Sequence, residues 1–230
     1  RATILAAFAT VLLTVTAHAD PRSDVRASID TAMSDAVSKQ GFGGYILIED
    51  HGKPIFSKGY GYADREKKIP FAIDTIAQIG SLTKSMTAFA ILNLARESKI
   101  DLEKPAKTYL RGAADPAGSA TIHQLLTHHA GLTDHCGDDF DPLTRETELH
   151  KCMAMPLEFK PGEDHYSNMG YSILAAVVEE VSGQSWEDYL RAHLWTPLGM
   201  THTGLTQFGD RRLDQFAYVY PPGKPRDDVI

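Results

Sequence analysis

Ser81 and Lys84 stand three residues apart in Gly80-Ser81-Leu82-Thr83-Lys84. On a helix that spacing stacks the two side chains on one face, one turn apart. A hydroxyl with an amine in reach is the layout of an activated nucleophile, a weak alcohol that attacks a carbonyl once its proton has somewhere to go. The residues that follow, Met86, Ala90, Ile91, Leu94 and Ala95, recur at helical spacing. Ser81 is therefore expected at a helix N-terminus, where unpaired N–H groups and the helix dipole favour developing negative charge. Serine is also a common N-cap, and a pattern as loose as S-x-x-K arises about once by chance in a chain of this size. The pair needs corroboration from the rest of the chain.

A proton carrier is the next requirement, and His165-Tyr166-Ser167-Asn168 can supply it. The stretch follows a Pro161-Gly162 turn and precedes a strongly apolar helix pattern, so a loop on a rigid support presents it. Tyr166 can shuttle a proton if neighbouring cations lower its pKa. Asn168 can donate to a substrate carbonyl and accept from a lysine. A purely structural role for these residues has Tyr166 packing and Asn168 capping the helix. A third group, His128, His129, His135, Cys136, His150 and Cys152, invites comparison with metal sites. Its spacings match no recognised zinc pattern, so neither a metal nor another cofactor is expected. Cys136 and Cys152 flank a polar loop and could instead pair in an oxidising compartment.

The elements that must position these residues can be read from periodicity. A helix is expected over Ser23–Lys39, with Val25, Ile29, Met33 and Val37 on one face and Ser23 or Asp24 as cap. Gly41 to Gly44 breaks it. Tyr45–Ile48 reads as a strand, Asp50–Lys53 as a turn and Ile55–Tyr60 as the hairpin partner. A lone hairpin is marginal and wants a larger sheet, yet no partner strand is visible before Phe216–Tyr220. The Ser81 helix runs to about Ser98, and Ile100–Leu110, with Pro105, is a connector holding a short helix. Thr121–Thr127 is a further helix. Residues 133–165 are loop-rich, with one helix around Leu143–Met153. Gly170–Ser182 is a strong helix closed by Gly183, and Ser185 opens another that reaches Trp195 before Pro197 and Gly199.

Composition sets the frame. The chain has 230 residues, 43% of them hydrophobic, enough for one large domain or two interleaved lobes. Formal charge is −7 and no basic run stands out, which argues against nucleic acid as a partner. Ile4–Val15 is a short apolar run after Arg1, followed by Ala17-His18-Ala19, an A-x-A pattern. Residues 1–19 are expected to be a secretory leader whose start is missing, with a run too short to be a stable membrane span. Without Arg1, residues 20–230 carry 22 basic (23 less one) and 30 acidic residues. The expected location is then the periplasm or the exterior.

S-x-x-K at the head of an apolar helix, followed by Tyr166-Ser167-Asn168 as Y-x-N, resembles the penicillin-recognising serine hydrolases. The branch is that of class C β-lactamases, serine D-Ala-D-Ala carboxypeptidases and related esterases. Gln124-Leu125-Leu126-Thr127-His128-His129-Ala130-Gly131-Leu132 is similar to the family's L-L-T-H-T-S-G-L segment, with His129 and Ala130 replacing small hydroxylated residues. Phe159-Lys160-Pro161-Gly162 matches F-x-P-G, and Pro197-Leu198-Gly199-Met200 is a frequent family segment. The resemblance covers residues 42–205. It implies an α+β fold of two lobes, an antiparallel sheet lobe and an all-helical lobe, with the active site between them. It implies that Ser81 is acylated by an amide, β-lactam or ester carbonyl, that Lys84 and Tyr166 share the proton work, that the Ser81 N–H forms half of an oxyanion hole, and that Asn168 orients a small-molecule or peptidoglycan-peptide substrate.

The third family motif, K or H, then S or T, then Gly on a late strand, is not found. Thr201-His202-Thr203-Gly204 has the letters H-T-G but no strand pattern around it. The expectation is that 20–230 is an incomplete hydrolase domain, cut before its C-terminal strands. A non-catalytic relative that binds cell wall or a partner is the alternative.

Overall fold

The computed structural model of the chain describes residues 21–136, 144, 147–205 and 217. They fall into two compact units. One comprises the described residues up to Ala77 together with Ala217, and the other runs from Gln78 to Leu205.

The first unit holds a helix and two hairpins: α1 (Pro21–Gln40), β1 (Gly44–Asp50) with β2 (Lys53–Tyr60), and β3 (Tyr62–Asp64) with β4 (Ile69–Pro70). Each hairpin is a separate antiparallel two-stranded sheet. His51 and Gly52 join β1 to β2 with φ of 49° and 71°, the doubly left-handed turn whose twist suits a tight hairpin. The register pairs Gly44 with Tyr60 and Asp50 with Lys53, with a bulge at Ile48/Glu49. α1 half-buries Ile29, Asp30, Met33, Ala36 and Val37, while Val25 stays exposed. Asp30 fastens α1 to β2, accepting from the Tyr60 hydroxyl at 2.7 Å and pairing with Lys58. Burial, then the hydrogen bond to Asp30, pushes the Tyr60 hydroxyl up to about 12. Gly59 has no substitute, because a Cβ there would lie 1.8 Å from the Phe71 carbonyl oxygen. Ala217 N–H donates to the Ile76 carbonyl at 2.7 Å.

The second unit is all-helical: α2 (Thr83–Arg96), α3 (Ile122–Leu126), α4 (Asn168–Ser182) and α5 (Trp186–Leu190), with a π-helical turn over Arg191–Trp195. α4 is central and packs on α2, α3 and α5. Its Ile173, Leu174, Val177 and Val178 are fully buried against Ile91 and Leu94 of α2, Ile122 and Leu125 of α3, and Tyr189, Leu190 and Trp195. Helix ends follow their side chains. Ser167 Oγ accepts from Gly170 N–H to cap α4, Thr121 and Gln124 form a capping box on α3, and Ser185 caps α5. Gly183, at φ 69°, closes α4 in the left-handed conformation. Cys136 and Cys152 are joined in a disulfide with Cα atoms 5.4 Å apart. Among the described residues no helix is long and apolar enough to cross a membrane.

Several expectations shift at this level. β3 and β4 have no counterpart in the sequence reading, since strands of two or three residues carry no period to read. The helix expected from Gly170 begins at Asn168, because its cap is Ser167 and not Asn168. The Ser185 helix is α-helical only to Leu190 and then widens. The short helix in the 100–110 connector is a 3₁₀ turn, Ala106–Thr108, and the described part of the helix expected around Leu143–Met153 is a π-helical stretch, Glu148–Cys152. Thr201-His202-Thr203-Gly204 lies on a turn and following coil. Residues 1–19 and, apart from Ala217, the strand expected at Phe216–Tyr220 lie outside the described residues.

Candidate active site

Ser81 sits in a 3₁₀ turn, Gly80–Leu82, that runs directly into α2, and Lys84 is in the first turn of that helix. Tyr166 and Asn168 reach the same place from the start of α4. The approach to α4 is fixed by backbone pairing. His165 N–H donates to the His128 carbonyl at 3.0 Å, Gly162 N–H to the His129 carbonyl at 2.8 Å, and Phe159 N–H to the Gly131 carbonyl at 3.1 Å. A Cβ on Gly131 would stand 2.4 Å from the Phe159 carbonyl oxygen. The 128–131 and 159–165 segments thus lie side by side, the second leading into Tyr166.

The four expected side chains meet in one cluster within the helical unit. Ser81 Oγ lies 2.5 Å from Tyr166 Oη, and Lys84 Nζ donates to Ser81 Oγ at 3.0 Å. Lys84 Nζ also donates to Asn168 Oδ1 at 2.5 Å, and the Tyr166 hydroxyl lies 3.3 Å from that oxygen. The ammonium stands over the Tyr166 ring, 4.8 Å from its centroid. The Tyr166 hydroxyl is drawn below the ordinary tyrosine range, first by Lys84 and then by the Ser81 hydroxyl. The same cation favours the phenolate form of Tyr166, the form able to accept a proton.

Three more residues hold this cluster. His128 Nδ1 accepts from the Ser167 N–H at 3.2 Å, so its proton is on Nε2, and its ring packs 4.6 Å from that of Tyr166. Burial, then the Lys84 charge, keeps His128 below the usual histidine range and neutral. Asp134 Oδ1 accepts from both Asn168 N–H and Asn168 Nδ2 at 3.0 Å. His135 Nε2 lies 3.0 Å from Asn168 Nδ2, and its Nδ1 lies 3.1 Å from Asp134 Oδ2. Both amide hydrogens of Asn168 are therefore engaged. Sequence reasoning did not pick out Asp134 at all. The available signal was its place two residues past Leu132, where the family-like segment ends.

The histidine and cysteine group is dispersed among other roles. Cys136 and Cys152 are bonded to each other, His129 Nδ1 donates to the Thr127 carbonyl at 2.6 Å, and His128 and His135 are committed as above. Among the described residues no three His, Cys, Asp or Glu side chains are grouped to hold a metal ion. A cleft of about 680 Å³ opens beside the cluster, lined by Ser81, Lys84, His135, Asn168, Tyr171 and Trp186 among others. Its volume is in the range of small-molecule sites.

Comparisons with known proteins place the chain among relatives. The Beta-lactamase family profile matches residues 25–229. The protein PbpX of Bacillus subtilis is 34% identical over 177 residues, covering 75% of this chain and 44% of its own length. Among solved structures, EstCE1, described as a hydrolase with promiscuous acyltransferase activity, superposes with a TM-score of 0.76 at 24% identity, over 86% of this chain and 57% of its own. The octameric penicillin-binding protein homologue from Pyrococcus abyssi gives 0.71 at 29% identity, over 84% and 47%. The chain thus spans about half the length of the proteins it matches.

Proposed function

The chain belongs to the Beta-lactamase family, and from that premise we propose that it is a serine hydrolase working through an acyl-enzyme on Ser81. One observation carries the proposal: Ser81 Oγ is in simultaneous hydrogen-bond contact with Tyr166 Oη at 2.5 Å and Lys84 Nζ at 3.0 Å. An ammonium only donates, so Lys84 occupies a lone pair of Oγ and leaves the hydroxyl proton to point at Tyr166. Tyr166, its pKa lowered by Lys84 and Ser81, stands as the phenolate and takes that proton as Oγ attacks a carbonyl carbon. The N–H of Ser81, at the head of α2, donates to the oxyanion. Tyr166 returns the proton to the leaving nitrogen or oxygen, and the Oγ–acyl ester remains. Water then attacks the ester, giving a proton to Tyr166, which passes it to the departing Ser81 Oγ, so that the acyl group leaves as a carboxylic acid and both Ser81 and the phenolate are restored.

The substrate class is an amide, β-lactam or ester carbonyl, with amides of the β-lactam or D-Ala-D-Ala type placed ahead of esters. The order follows from export, because an exported protein meets the cell wall. The leader-like residues 1–19 and the Cys136–Cys152 disulfide support export. EstCE1, a hydrolase with acyltransferase activity of similar fold, supports the ester reading. Rapid mixing with a chromogenic ester and a chromogenic cephalosporin separates the possibilities. A burst of one equivalent of leaving group before the steady rate is expected from at least one of them. No burst and no turnover with either, in protein from its native source, contradicts the proposal and favours a binding relative.

A further inference from the structure

Asn168 is a carboxamide held between an ammonium and a carboxylate, and this fixes which way it faces. Lys84 Nζ has only hydrogens to offer, so the atom 2.5 Å from it is Oδ1. The Asp134 carboxylate has only lone pairs, so the atom 3.0 Å from its Oδ1 is Nδ2. The other amide hydrogen meets His135 Nε2 at 3.0 Å. That nitrogen must then accept, which puts the imidazole proton on Nδ1, where Asp134 Oδ2 waits at 3.1 Å. The Asp134–His135 segment is itself anchored on both sides. The Asp134 carbonyl accepts from Met169 N–H at 3.0 Å, Ser167 Oγ donates to the Thr133 carbonyl at 2.7 Å, and Cys136 is bonded to fully buried Cys152.

We propose that Asp134 is a positioning residue of this site, with His135 as its second arm. The pair holds the Asn168 amide in the one orientation that keeps Oδ1 on Lys84, and thereby keeps Lys84 against Ser81. Neither residue touches the reacting atoms. Without Asp134 the amide is free to turn, and an NH2 group facing an ammonium pushes Lys84 away from Ser81. This inference rests on the hydrolase reading for its kinetic consequence, while the geometry it asserts can be read without turnover.

The test combines acylation kinetics with amide exchange. With a fluorescent penicillin, Asp134→Ala is expected to slow acylation at least ~tenfold while probe affinity stays within about threefold, the signature of lost positioning and not lost binding. Asp134→Asn, whose Oδ1 can still accept from both Asn168 N–H groups but whose Nδ2 cannot accept from His135, is expected to recover part of the lost rate and fall between Asp134→Ala and the parent. In the unsubstituted protein, NMR of the Asn168 side-chain NH2 should show both hydrogens exchanging slowly with deuterium. Parent-like acylation in Asp134→Ala overturns the proposal, as does equal impairment in Ala and Asn variants, or free exchange of the Asn168 amide in the parent. If the parent is not acylated, or Asp134→Ala does not fold, amide exchange in the parent decides the matter. In the first case the hydrolase reading falls separately.

Discussion

A lysine placed between a serine hydroxyl and a carboxamide acts on both, and on the tyrosine beneath it. Tyr166 has its hydroxyl pulled below the ordinary value of 10.0, chiefly by Lys84. A group with a depressed pKa is ionised at lower pH than its free counterpart. Under the proposed mechanism the phenolate, and with it the acylation rate, should rise as pH climbs through that lowered value, below the usual tyrosine range. Lys84→Ala removes the main cause. Its rising limb should move to higher pH, and its rate at neutral pH should fall by roughly 10²–10⁴. A pH–rate profile of both proteins checks this, and a variant limb unmoved from the parent's contradicts it. Ser81, Lys84, Tyr166 and Asn168 stand out in the sequence because S-x-x-K and Y-x-N together resemble the family's motifs, neither being specific alone, and the structure brings the four side chains into one cluster. Asp134 does not stand out, because its role depends on the 131–136 segment crossing the start of α4, a contact spanning 34 residues that no local pattern encodes.

Periodicity made α2 and α4 readable, and the caps explain their ends. The same apolar stripe gives α4 its energetic weight. Leu174 is fully buried at the centre of the helical core. Leu174→Ala should cost about 2–5 kcal/mol of stability in the unit that carries the site, because the surrounding helices collapse only partly onto the space left. Denaturant titration followed by tryptophan fluorescence reports it, since Trp186 and Trp195 lie in the same core. A loss below about 0.5 kcal/mol contradicts this reading of α4. Short elements escaped the sequence because their cause is not local. β3 and β4 are placed by backbone geometry around Gly61, where a Cβ would stand 2.2 Å from the Phe42 carbonyl oxygen. The π-helical turn after α5 ends in Trp195, 1% exposed and packed edge-on to Trp186.

At the scale of the whole molecule, element order alone showed strands early and helices late, the two-lobed α+β fold came from the family resemblance, and the described residues divide into a unit bearing the hairpins and an all-helical one. The helical unit contributes Ser81, Lys84, Tyr166 and Asn168 together with the residues that hold them. Whether Ser81 is the nucleophile can be read from intact mass. Protein from its native source, incubated with a penicillin or an activated ester, should gain one acyl group that maps to the peptide containing Ser81. The Ser81→Ala variant should keep its fold and gain nothing. An adduct that survives in Ser81→Ala, or a parent protein whose mass never changes with either reagent, would contradict that role for Ser81.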